Sequence, residues 1–206
     1  METQTRASQA AMTPTEALAR LKEGNARFVA NRRIDRDLLQ QVGATGSGQY
    51  PFAIVLGCVD SRVSPELVFD QGIGDIFTAR IAGNFVNADI LGSMEFACKV
   101  AGAKLIFVLG HSHCGAIMGA VDDAQLGNLT GMLNQLKPAV EAVPAPAGGR
   151  TSQNAAFVQQ VAEKNVELTM EAIRKQSPVL DEMLEKGEIQ IAGGMYDIET
   201  DKVPFS

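Results

Sequence analysis

The sequence has very few residues able to bind a soft metal or form a disulfide. It contains no tryptophan, three cysteines and two histidines among 206 residues. A small, odd number of cysteines in a chain without a visible secretory signal favours metal binding or catalysis over a disulfide framework. Any thiol or imidazole chemistry therefore has to use this small set.

Long apolar segments and basic clusters are also absent. The longest apolar runs, such as LIFVLG at 105–110, are far too short to cross a bilayer. The net charge of −6 disfavours nucleic acid and anionic membranes as partners. Because the N-terminus has no apolar signal region, we expect a cytoplasmic protein.

The apolar runs that are present predict a single α/β domain over residues 1–206. Strands that alternate with helical patterns indicate a mostly parallel sheet with right-handed crossovers and flanking helices. We expect the strand order 2-1-3-4. The segment 195–205 is compatible with an additional edge strand after a turn near Asp201. The four runs are residues 52–56, 75–82, 104–110 and 188–193.

The N-terminal part predicts a helical arm over residues 14–30. Thr13 is placed to cap it, Pro14 suits the first helical position, and Glu16 completes a capping box. We expect residues 1–13 to be flexible. A compact sheet domain offers no obvious partner for the apolar face of this arm. We therefore expect the arm to wrap around a neighbouring chain in an obligate dimer, or in a tetramer made of two dimers.

Two of the predicted strands are followed directly by reactive side chains. Cys58 follows the first strand, and His111 and Cys114 follow the third. In the order 2-1-3-4 the chain reverses between these two strands, and ligands of open α/β sheets bind in the crevice at that point. Two thiolates and an imidazole suit zinc, and three protein ligands leave one position for water, as in catalytic zinc sites.

The other reactive residues are assigned by their positions along the sequence relative to these candidate ligands. Asp60 either fills the fourth position on the metal or orients its water, and Arg62 can hold a carboxylate through two hydrogen bonds. His113 is either an exposed structural residue or a proton-transfer group. Cys98, in the middle of a helical pattern, is expected to be a buried apolar residue. The GIG at 72–74 is not a dinucleotide loop, because it lacks a third glycine and precedes a strand.

The motifs CVDSRVSPE at 58–66 and HSHCGA at 111–116 closely resemble those of the β-class carbonic anhydrases. The likeness extends to ARIAGNFVN at 79–87. This resemblance implies zinc bound by the two cysteines and the histidine, namely Cys58, His111 and Cys114. It also implies an Asp60–Arg62 dyad beside the zinc-bound solvent, with Asp60 as fourth ligand in a closed form.

The resemblance further implies reversible hydration of carbon dioxide to bicarbonate and a proton by zinc-bound hydroxide. Gln49, Phe77, Phe96 and Gly115 match substrate-pocket positions, and the apolar ones are often contributed across a dimer interface. Some bacterial members carry a tryptophan three residues before the first cysteine, which supports an inhibitory bicarbonate site. Val55 stands there in this chain, so we expect that regulation to be absent.

Two other functions are compatible with the same residues. One is hydrolysis of carbonyl sulfide or carbon disulfide on this scaffold, which the sequence does not separate from carbon dioxide hydration. The other is a non-catalytic zinc-binding module with a permanent fourth protein ligand. The intact pair Asp60 and Arg62 argues against that second alternative.

Overall fold

A four-stranded parallel sheet forms the centre of the computed structural model, which describes residues 3–205. The strand order is β2-β1-β3-β4, and every neighbouring pair is parallel, so the predicted order is confirmed. All residues of the two central strands are buried, as expected for strands covered on both faces. The strands are β1 (Ala53–Gly57), β2 (Ile76–Arg80), β3 (Leu105–His111) and β4 (Gln190–Tyr196).

Helices cover both faces of this sheet. Alternate residues of β1 and β3 belong to two different core clusters, one on each face. Within residues 3–205 no helix has both the length and the apolar character needed to cross a membrane. The helices are α1 (Arg6–Ala11), α2 (Pro14–Val29), α3 (Leu38–Thr45), α4 (Pro65–Val68), α5 (Ala88–Glu95) continued by a π-helical turn (Phe96–Val100), α6 (Gly115–Val121), α7 (Gly127–Asn134), α8 (Lys137–Ala142), α9 (Ala155–Gln176) and α10 (Pro178–Glu185).

The N-terminal segment contains a helix where we expected a flexible tail. Helix α1 is held by Gln9, whose side-chain nitrogen donates to the carbonyl oxygens of Pro51 at 2.7 Å and Ala101 at 2.8 Å. These long-range bonds have no signal in the local sequence pattern. Residues 1 and 2 lie outside the described part of the chain.

Helix α2 begins as predicted but packs differently. The hydroxyl of Thr13 accepts from the backbone nitrogen of Glu16 at 3.2 Å, and the Glu16 carboxylate accepts from the Thr13 nitrogen at 2.8 Å, so the capping box is confirmed. The premise that this helix has no partner within its own chain is wrong, whereas its contact with a neighbouring chain stays a prediction. Ala17 and Leu21 are fully buried against the chain's own sheet, in one cluster with Phe107 of β3. A helical pattern reveals an apolar face but not the surface that covers it.

The docking of α2 depends on a glycine. A Cβ atom added to Gly24 would lie 1.8 Å from the carbonyl oxygen of Phe69, directly after α4. The next residue, Asn25, donates from its amide nitrogen to the carbonyl oxygens of Val68 at 3.1 Å and Asp201 at 3.0 Å. Helix α2 therefore joins α4 to the C-terminal segment.

The C-terminal segment makes less sheet than the sequence allows. It turns back at Asp201, which has a φ of 61°, close to the predicted turn. It then meets β4 only through an isolated antiparallel bridge between Gly194 and Phe205. The additional edge strand that the sequence allowed is thus reduced to this single bridge.

Candidate metal centre

The three predicted metal ligands lie together at the carboxyl ends of β1 and β3. Cys58 follows β1, His111 is the last residue of β3, and Cys114 directly precedes α6. Their ligand atoms all lie within 4.8 Å of one another, and the two sulfur atoms are 4.0 Å apart. The parallel register, which pairs Gly57 with Leu109, ends both strands at the same edge of the sheet. Sheet topology thus brings together residues that are far apart in sequence.

The ring of His111 is oriented for metal binding. Its Nδ1 lies 2.9 Å from the carbonyl oxygen of Ser112. Because a carbonyl oxygen can only accept, Nδ1 carries the proton and Nε2 keeps its lone pair. Nε2 is buried and has no hydrogen-bond partner within the described residues. A buried acceptor without a partner is costly, whereas a metal ion at this point would satisfy it.

The two thiols of the group are strongly coupled. The hydrogen bond from Cys114 holds the pKa of Cys58 far below its ordinary value, at about 4, against the opposing effect of burial, and the backbone N–H of Gly83 lowers it further. The bond to Cys58, together with burial, raises the pKa of Cys114. Of the two thiols, Cys58 therefore ionises first. Cys98 lies outside this group, and burial raises its pKa to about 12, as expected of an inert buried thiol.

Asp60 and Arg62 form a two-pronged ion pair beside these ligands. The guanidinium donates from Nη2 to Oδ2 at 2.8 Å and from Nε to Oδ1 at 3.0 Å. These hydrogen bonds hold the pKa of Asp60 at about 2, so the carboxylate is ionised. Its Oδ2 lies 4.0 Å from Nε2 of His111. A fixed acceptor thus lies next to the imidazole of the candidate ligand His111.

Arg80 also belongs to the site, although the sequence-based interpretation assigned it no role. This last residue of β2 donates from Nε to the carbonyl oxygen of Cys58 at 2.7 Å and from Nη2 to that of Asp60 at 2.6 Å. Its side chain therefore ties the edge strand to the loop that carries both residues. The only available signal was its place in the motif ARIAGNFVN.

The predicted substrate-pocket residues are not gathered at the ligands within one chain. Phe77 and Phe96 pack edge to face, with ring centroids 6.1 Å apart, and Phe96 is 48% exposed. Phe77 packs against a core cluster that does not contain Cys58. Gln49 is exposed in the loop before β1. Gly115, by contrast, begins α6 next to the ligands.

His113 points away from the ligands. Its Nε2 lies 3.4 Å from the carboxylate of Glu199, and both side chains are more than half exposed. It lines a cavity of about 480 Å³ together with Tyr196 and Glu163, and none of the three predicted ligands lines that cavity. Of the two interpretations offered by the sequence, this position favours the exposed structural residue.

Comparison with known proteins agrees with this arrangement. The carbonic anhydrase family model matches residues 53–203. The chain is 36% identical over 188 residues to carbonic anhydrase 2 of Mycobacterium tuberculosis, covering 90% of this chain and 89% of that protein. The β-carbonic anhydrase CafA of Aspergillus fumigatus superposes with a TM-score of 0.70 at 26% identity, covering 93% and 89% of the two chains. A tetrameric β-carbonic anhydrase of Sordaria macrospora has a TM-score of 0.69 at 24% identity, covering 79% and 84%.

The parallel sheet and the Cys–His–Cys group at its edge define the class of protein first, an α/β protein with a group able to hold a metal ion in the crevice at the reversal of strand order. The extent of the likeness then identifies the family. The chain belongs to the β-class carbonic anhydrases, and it is therefore a lyase.

Proposed function

We propose that this enzyme hydrates carbon dioxide reversibly to bicarbonate and a proton, with one zinc ion bound by Cys58, His111 and Cys114. The observation that carries the proposal is the buried, unpartnered Nε2 of His111 beside two thiols whose sulfur atoms are 4.0 Å apart. Thiolate and imidazole are the donors that zinc prefers, and three protein ligands are typical of a catalytic site. The donor set therefore fits the metal.

The residues around the metal position would control the reaction. A zinc ion held there would lower the pKa of a water molecule at its open position and so supply a nucleophile. The ionised Asp60 would accept a hydrogen bond from that nucleophile and direct its lone pair toward carbon dioxide. Arg62 would keep Asp60 ionised and turned away from the metal, consistent with the lowered pKa of Asp60.

The substrate pocket is proposed to form between two chains. Phe77 lies on the edge strand β2, its partner Phe96 is half exposed, and Gln49 is exposed as well. In an assembly of two chains these residues of one copy would line the metal crevice of the other, next to that copy's Gly115. We infer a homodimer or a tetramer, and the tetrameric relative from Sordaria macrospora supports an assembly of this kind.

The test is a stopped-flow assay of carbon dioxide hydration on protein whose zinc content has been measured. We expect about one zinc per chain and rapid hydration. Cys58→Ser and Cys114→Ser should lose most of the zinc and the activity, because serine is a poor zinc ligand. Cys98→Ser is the matched control and should keep both. Full zinc content in Cys58→Ser would contradict the ligand set, and zinc-loaded wild-type protein without hydration activity would contradict the function.

A further inference from the structure

A backbone N–H donates to the sulfur of one proposed zinc ligand. The nitrogen of Gly83 lies 3.3 Å from Sγ of Cys58. Gly83 has a φ of +80°, and a Cβ atom at this position would lie 2.7 Å from Cδ1 of Leu136. Only glycine fits here without strain, so the loop after β2 can bring its backbone close to the sulfur.

A buried side chain of helix α9 holds this loop in place. Asn165 is 4% exposed and donates from its amide nitrogen to the carbonyl oxygen of Gly83 at 2.8 Å. Asparagine is a weak helix former, and its burial in an apolar helix face is unfavourable unless its polar atoms are bonded. Apart from Asn165, the buried residues in the first four turns of α9 are apolar: Phe157, Val158, Val161, Ala162 and Val166.

We propose that Asn165 is a positioning residue of the metal centre, which fixes Gly83 so that its N–H bonds to the sulfur of Cys58. This inference rests on the zinc site proposed above. A hydrogen bond to a thiolate draws electron density from sulfur and lowers the charge that it donates to a metal. With two thiolates on one cation, such a bond would preserve part of the Lewis acidity that the site needs.

Cobalt substitution gives a readout that is independent of activity. Asn165→Leu keeps the branched shape of the side chain but removes the amide donor. We expect the sulfur-to-cobalt charge-transfer bands of this variant to move to longer wavelength, because Cys58 then donates more strongly. We also expect its zinc affinity, measured by chelator competition, to fall by about 10–100-fold, because the loss of the pre-formed loop around Cys58 outweighs the stronger donation from its sulfur.

The matched control lies one helical turn further on the same face. Thr169 is also 4% exposed, and within residues 3–205 its side chain makes no hydrogen bond to the loop after β2 that contains Gly83. Thr169→Val should leave the bands and the zinc affinity unchanged. The inference would be overturned if Asn165→Leu kept the charge-transfer bands and zinc affinity of the wild type. It would also be overturned if Thr169→Val shifted the bands as much as Asn165→Leu does. If Asn165→Leu does not fold, Asn165→Ala tests the same two quantities with the same expected directions. Wild-type protein that binds neither cobalt nor zinc would overturn the proposed function instead.

Discussion

Single side chains at the ends of two strands determine what the crevice can bind and how it can react. Cys58, His111 and Cys114 offer three donors within 4.8 Å of one another. Asp60 is the nearby acceptor, and Arg62 keeps it charged through two hydrogen bonds. Each of these groups has one state that suits zinc-dependent hydration: thiolate, neutral imidazole, carboxylate and guanidinium.

The carboxylate of Asp60 is expected to be needed for activity but not for zinc binding. Its pKa is held at about 2, so it stays ionised at every pH at which the protein is assayed and would lose its charge only as the pH falls toward that value. Asp60→Asn should keep its zinc but lose activity at all pH values, by about 10²–10⁴-fold, because an amide is a weaker acceptor. A pH–rate profile with parallel zinc analysis measures this.

The same profile tests the effect of the thiolates in the wild-type protein. Two thiolates already neutralise the formal charge of zinc, so bound water should titrate above the value of about 7 found with three imidazoles. Wild-type activity should therefore rise into the alkaline range. Asp123→Asn, at an exposed carboxylate paired with Lys137, is the control and should match the wild type. An active Asp60→Asn, or an acidic optimum of the wild type, would contradict the roles assigned here.

At the scale of elements, two close contacts decide where the helices sit. Helix α2 approaches the end of α4 through Gly24, and α9 reaches the loop after β2 through Asn165. Arg80 likewise connects the edge strand to the loop after β1. In each case a residue of one element bonds or packs against the backbone of another, so the loops after β1 and β2 are held in a defined position.

Gly24→Ala tests the docking of α2 on its own chain. The added methyl group would overlap a backbone carbonyl at 1.8 Å, which cannot move without shifting α4. We expect a loss of about 1–3 kcal/mol in the free energy of unfolding, although alanine is the better helix former. Urea denaturation at a fixed protein concentration measures the change.

The control for this prediction is a helical glycine with open surroundings. Gly131 lies within α7, and an added Cβ would meet nothing within 4 Å. Gly131→Ala should therefore leave the stability unchanged or raise it by up to about 1 kcal/mol. If Gly24→Ala were as stable as this control, α2 would not be packed on its own chain.

At the scale of the whole molecule, the exposed edge at β2 is where assembly and catalysis are expected to meet. Phe96→Glu places a charge beside Phe77, where an apolar contact between copies is proposed. We expect this variant to dissociate to monomers and to lose most of its hydration activity, since the pocket would lack its second wall. Light scattering at micromolar concentration reports the assembly.

A charge at an unrelated exposed site serves as the comparison. Leu126 is 70% exposed directly before α7, away from the Phe77–Phe96 pair. Leu126→Glu should retain both the assembly and the activity of the wild type. A fully active monomer, whether wild type or Phe96→Glu, would show that one chain completes its own pocket.

The sequence by itself determined the elements and the metal-ligand candidates. Short continuous apolar runs are local signals, so the four strands could be predicted, and the order followed from taking the first and third strands as neighbours. The capping box at Thr13 is also local, spanning four residues. The candidate ligands could be expected to lie together because the ends of adjacent parallel strands share one edge of a sheet.

Only the tertiary structure decided which surfaces these elements cover and what supports the ligands. The bond from Asn165 to Gly83 joins residues 82 positions apart, and that from Arg80 to Cys58 joins residues 22 apart. The apolar face of α2 predicted burial, yet its cover proved to be the chain's own sheet. Contacts of this kind depend on how whole elements are arranged in space, and no local periodicity encodes that arrangement.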